Sequence, residues 1–168
     1  MQATLRPDDR DTLEDGSGKL RELVGSGDKI ALATLPAVVI GLTLDALYPS
    51  AFSVGGPPRL VQWLCALTLA VGLVNWAWCV ALLLIHVPRH ELITTGPYAW
   101  AKHPLYTGVA LLVLPALGIV LDSWVGVPIG AALYFASRRF SPQEERVLAQ
   151  TFGAAWNAYI QRVRLPWL

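Results

Sequence analysis

Between two charge-free runs the chain carries GPYAWAKHPLYTG, Gly96–Gly108, which sets Tyr98, Trp100, Lys102, His103 and Tyr106 around two prolines. A connecting turn needs only Gly96-Pro97, so the remaining polar and aromatic groups ask for another reason. Pro104 suits the first turn of a following helix, and the first amides of any helix lack an intrahelical acceptor and form a ready anion site. Lys102 and His103 would stand beside a carboxylate or phosphate held there, and the rings could stack on a flat heterocycle. The spacing therefore predicts a small, flat, anionic or zwitterionic ligand.

Acidic chemistry is available farther on, at Glu144–Glu145. Ser141, Pro142 and Glu144 read as a capping box opening a C-terminal helix, and that alone would account for Glu144, leaving Glu145 a solvated neighbour. The three histidines, His86, His90 and His103, fall close together in sequence. His86 and His90 are four apart, but Pro88 interrupts the helix that would align them. No cysteine or third clear ligand is nearby, so no metal site is expected.

The elements that must position these groups are apolar. Hydrophobic residues make up 54% of the chain and charged residues 15%, against about 25% charged in soluble domains. No charge occurs from Ile30 to Leu44, Leu60 to Ile85, Leu105 to Leu121 or Ser123 to Ser137. Runs near 20 apolar residues match the ~30 Å hydrocarbon core of a bilayer. The reading is all-α: a polytopic membrane helical bundle of about four segments, Ile30–Tyr48, Leu60–His86, Leu105–Leu121 and Val125–Ser137, the last two a tight hairpin. A C-terminal amphipathic helix follows, with Leu148, Phe152, Trp156, Tyr159, Ile160 and Val163 on one face. Asp45, near the end of the first span, is expected to reach water.

Residues 1–28 read as a polar, loose cytosolic tail, in which GKLRELV could form one short surface helix, and 29–168 as a single membrane domain. Lys and Arg are scarce in the 49–59 loop, which holds only Arg59. They accumulate after the second span and in the C-terminal region. That asymmetry places both termini and the 87–104 loop in the cytoplasm. The net charge of +1 gives no bulk attraction to nucleic acid. Cys65 and Cys79 lie about 21 Å apart along one helix and cannot bridge each other.

LITTGPYAWAKHPLYTG, a hydrophobic hairpin and then EERVLAQTFGAAWNAYIQRV, in that order, resemble the integral membrane methyltransferases of the isoprenylcysteine carboxyl methyltransferase and phospholipid N-methyltransferase superfamily. The likeness covers about residues 86–166. Lys102 stands where arginine is usual and Trp156 where tyrosine is usual; the lysine keeps the charge but loses bidentate geometry. The resemblance implies S-adenosyl-L-methionine as cofactor, without a Rossmann fold. It implies His90, Leu92, Ile93 and Tyr98 lining the cofactor pocket and His103, Pro104, Leu105 and Tyr106 holding the cofactor at the helix start. Glu144 would close over it, with Glu145 beside it. Arg138 and Arg139 lie near where the isoprenylcysteine enzymes place a substrate-carboxylate arginine, one residue out of register.

The implied reaction is in-line transfer of a sulfonium methyl group to a lipophilic or lipidated acceptor entering from the membrane lipids at the cytosolic face. A carboxylate acceptor is already ionised and needs no base, whereas a thiol or protonated amine needs one. Two other classes fit membrane chains of this kind: an NADPH-dependent reductase of related fold and a non-catalytic membrane subunit.

Overall fold

Two long apolar helices flank a helical hairpin. The computed structural model describes residues 7–165, with side chains from Gly27 onward; residues 1–6 of the expected tail and 166–168 lie outside the described residues. The helices are α1 (Pro7–Leu47), α2 (Arg59–His86), α3 (Pro104–Val120), α4 (Gly126–Phe152) and α5 (Ala154–Arg162). Single helical turns occur at Pro49–Phe52, Val87–Arg89 and Gly96–Ala99. No strand is present among the described residues, and two segments, Gly27–Leu47 and Arg59–Arg89, are long and apolar enough to cross a membrane.

The packing reverses the pattern of a water-soluble bundle. Large apolar side chains point outward from α1 (Leu32, Leu35, Val39, Ile40, Leu42) and from α2 (Leu60, Trp63, Leu64, Leu67, Val74, Trp78). Small residues fill the helix contacts, as membrane helices require, because lipid offers no hydrophobic drive for association and close van der Waals approach must supply it. A Cβ on Gly126 would collide with the Leu114 carbonyl oxygen, and one on Gly130 with that of Ala110. These glycines let α3 and α4 meet backbone to backbone. α1 packs along α4, α2 packs along α3, and the hairpin lies between them.

At one end of the bundle the 49–59 loop is stitched to the hairpin turn. Ser53 Oγ donates to Asp122 Oδ2 at 2.7 Å, Trp124 N donates to the Phe52 carbonyl at 3.0 Å, and the Phe52 and Trp124 rings stack at 4.7 Å. Asp45, half-exposed, also accepts from buried Ser123 Oγ at 2.6 Å. A carboxylate at the end of a span is costly unless paired, and the turn brings a hydroxyl within reach.

Two boundaries depart from the sequence reading, and one helix runs through an interior proline. The backbone of α1 is helical from Pro7, well before Ile30, because extending a helix already nucleated by a stable span fixes only one residue per added hydrogen bond. Pro115 does not end α3. The π-helical turn Val109–Val113 directly before it widens the helix where the proline ring would crowd the Leu111 carbonyl. The capping box at Ser141 is not formed. Ser141 is buried inside α4, Pro142 lies within the same helix, and the chain breaks instead at Gly153, φ +47°. An interior proline costs a helix roughly 3 kcal/mol; the long contact of α1 along α4 outweighs that local penalty.

Candidate functional site

The Gly96–Gly108 stretch is held in place from both sides. Gly96 has φ +61°, and a Cβ there would press on the Trp78 ring at 3.1 Å, so both backbone and packing select glycine. From the C-terminal side, Tyr159 Oη donates to the Tyr98 carbonyl at 2.9 Å and Leu165 N to the Trp100 carbonyl at 2.8 Å. The Arg164 guanidinium lies 4.3 Å from the Trp100 ring centre. Trp156, Tyr159 and Val163 are buried, with Leu148, Phe152, Ile160 and Leu92 packed against them. The apolar face expected of the C-terminal region is therefore present, split by Gly153 between α4 and α5, and it serves to brace this loop.

Beyond the loop, Pro104 opens α3 and the Thr107 hydroxyl donates to the His103 carbonyl at 2.9 Å. The His103 ring then lies between the two glutamates of α4. Nδ1 is 3.6 Å from Glu144 Oε2 and Nε2 is 3.2 Å from Glu145 Oε1. Lys102 Nζ donates to the same Glu145 oxygen at 2.6 Å.

The adjacent carboxylates are electrostatically unlike. His103 and Lys102, hydrogen-bonded to Glu145, hold its carboxyl down at about 2 despite partial burial. Burial pushes Glu144 upward; His103 opposes that shift, and the neighbouring Glu145 charge adds to it. Burial also raises the Tyr98 hydroxyl, and takes that of Tyr159 to about 12, so both remain neutral donors.

Of the residues singled out in the sequence, Tyr98, His103, Pro104, Tyr106, Glu144 and Glu145 converge here, Tyr98 and Tyr106 within the field of the Glu144 carboxylate. Leu105 follows, half-buried, in the first turn of α3. Leu92 packs under α5, Ile93 is half-buried, and His90 stands exposed at a left-handed corner, φ 55°. His86 turns back to the Leu82 carbonyl, and no group of three potential metal ligands occurs among the described residues. Arg138 and Arg139 are exposed on α4, with Arg139 5.9 Å from the Phe140 ring centre. Lys102, expected beside a ligand carboxylate, is engaged by Glu145.

Several participants escaped the sequence reading. Lys29 Nζ donates to Gln143 Oε1 at 3.1 Å, and Gly27 and Asp28 lie beside Tyr106, so α1 walls the site. Asn75 Nδ2 donates to the Pro104 carbonyl at 3.2 Å. An amide in the middle of an apolar span was the available signal for Asn75; nothing local marks Gln143 or Gly27. An open, mostly apolar groove of about 720 Å³ runs on the α2 side of this turn, lined by Asn75, Trp78, Trp100, Pro104 and Thr107 among others.

With this geometry in place, comparison with known proteins adds one finding. A sequence model of the isoprenylcysteine carboxyl methyltransferase (ICMT) family matches residues 60–150, which span α2, the loop, the hairpin and both glutamates. No curated protein and no solved structure matches the chain. A match over more than half the length, containing the whole histidine–glutamate cluster, shows that the chain belongs to the isoprenylcysteine carboxyl methyltransferase family.

Proposed function

We propose that this protein transfers a methyl group from S-adenosylmethionine to a lipophilic or lipidated acceptor at the cytosolic face of the membrane. The observation that carries the reading is His103 held between Glu144 and Glu145 at the start of α3, inside the family-matched segment. The donor set fits the cofactor. Glu144 is a mostly buried carboxylate whose charge burial disfavours, so a cationic group beside it would be favoured. Tyr98 and Tyr106 offer neighbouring rings for a flat heterocycle.

When bound, S-adenosylmethionine supplies a methyl group already activated on a sulfonium, so much of the protein's task is positioning. Glu144 would hold the cationic end of the cofactor. Glu145 does not compete for that place, because Lys102 and His103 hold it, and it keeps the His103 ring oriented. The Tyr98 carbonyl and the loop are fixed by Tyr159. An acceptor carboxylate, thiol or amine reaching this cluster from the bilayer side would take up the methyl group that the bound cofactor would supply. A thiol or ammonium must first surrender its proton; a carboxylate need not.

The fold supports four membrane segments, with the α3–α4 hairpin completing the pair α1 and α2. The Lys/Arg distribution puts the cluster on the cytoplasmic side. Calorimetry of the purified protein with S-adenosylhomocysteine tests the reading, with NADPH as control. Saturable binding of the first and none of the second is expected; binding of NADPH alone would make this a reductase, and binding of neither would remove the cofactor site.

A further inference from the structure

We propose that Asn75 is a positioning residue for the proposed methyl-transfer site, tying the first turn of α3 to α2 so that His103 is held at its glutamates; the inference rests on the reading that this turn holds the cofactor. The chain around Asn75 is LTLAVGLVNWAWCVALLLI, in which one carboxamide interrupts an apolar run. An amide in such a span must find a protein partner, since lipid offers none, and polar side chains at this depth serve contacts between helices. Asn75 Nδ2 finds the Pro104 carbonyl, 29 residues along the chain, at 3.2 Å.

The turn it grips has reason to need an outside tie. The helix passes after Gly108 into the π-helical turn Val109–Val113, and the Val109 amide is shared between the Leu105 and Tyr106 carbonyls. The regular hydrogen-bond ladder is therefore interrupted one turn after His103. A carbonyl oxygen has two lone pairs, so the Pro104 oxygen accepts the carboxamide hydrogen without forfeiting a helical bond. In surroundings this apolar such a bond is stronger than it would be in water.

Gly108 completes the arrangement. A Cβ there would collide with Asn75 Nδ2, so the glycine is the space the carboxamide occupies. The turn is consequently clamped on two faces. On the α4 face its side chains meet Glu144 and Glu145, and on the α2 face its backbone meets Asn75.

The decisive measurement is the NMR signature of the imidazoles in histidine-labelled protein, in which only His86, His90 and His103 report. Two variants break the tie differently. Asn75→Leu keeps the shape and removes the donor. The double variant Asn75→Ala/Gly108→Ala returns volume to the interface without the hydrogen bond, and it provides a folded comparison if the leucine variant does not assemble. In both, the His103 resonances should move while those of His86 and His90 stay, with affinity for S-adenosylhomocysteine falling about tenfold. Unmoved His103 resonances would overturn the proposal, as would a shift of all three histidines, which reports a general loss of packing. Should the native chain bind no S-adenosylhomocysteine, the cofactor reading falls by itself, and the His103 signature still decides whether Asn75 positions the ring.

Discussion

Lys102 Nζ lies 2.6 Å from Glu145 Oε1, and the same oxygen receives His103 Nε2 at 3.2 Å. Two cationic or polar donors on one carboxylate oxygen make Glu145 the fixed member of the acidic pair. Glu144 meets the Nδ1 side of the same ring at 3.6 Å, so the two sequence neighbours differ in which side of one imidazole they face.

Glu144→Gln keeps shape and hydrogen bonding and removes the charge. Affinity for S-adenosylhomocysteine or S-adenosylmethionine should fall by one to two orders of magnitude, about 1.4–2.7 kcal/mol by calorimetry. The thermal midpoint should stay or rise, because a buried charge is removed and Ser141 forms no cap that the glutamate could complete. An unchanged affinity would take Glu144 out of the site.

Glu145→Gln should show the converse. It gives up the Lys102 ion pair and the charged hydrogen bond from His103, at a cost of about 1–2 kcal/mol allowing for partial exposure. The thermal midpoint should drop, while cofactor affinity falls less than in Glu144→Gln. Equal losses of affinity in the two variants would contradict the division of labour.

Acidification should separate the glutamates by sign. Glu145 has its folded pKa lowered to about 2. Its contribution is complete above the ordinary carboxylate value near about 4.3 and disappears as pH falls from there toward the folded value. The stability gap between the native chain and Glu145→Gln should be flat from neutrality to about pH 5 and then close. Glu144 is shifted upward, so its charge costs stability at neutral pH, and that cost lifts as pH falls through the raised value. Thermal midpoints of the three proteins across pH give both curves.

Orientation is open to direct labelling. In a background with Cys65 and Cys79 replaced by alanine, Ser53→Cys should react with an impermeant thiol reagent added outside intact cells. Thr95→Cys should react only after permeabilisation. The reverse pattern would move the histidine–glutamate cluster to the external face.

The sequence alone determined the membrane character and the approximate ends of α2 and α3, both from short-range signals: charge-free length and a proline at a helix start. That Tyr98, His103 and Tyr106 meet the glutamates was implied only by the family resemblance. The apolar face of Leu148, Phe152, Trp156, Tyr159, Ile160 and Val163 was legible for the same reason, because helical periodicity is local. Tertiary structure decided the rest. Ser141-Pro142 carries every mark of a helix start, yet α4 runs through it, because contact with α1 acts over more residues than one cap. Asp45 meets Ser123, Lys29 meets Gln143 and Asn75 meets Pro104 across 78, 114 and 29 residues. Such pairings follow from how the four long helices lie side by side, which no local window encodes. Which glutamate takes Lys102 was settled in the same way: α4 presents both carboxylates to one ring, and the ring has two sides.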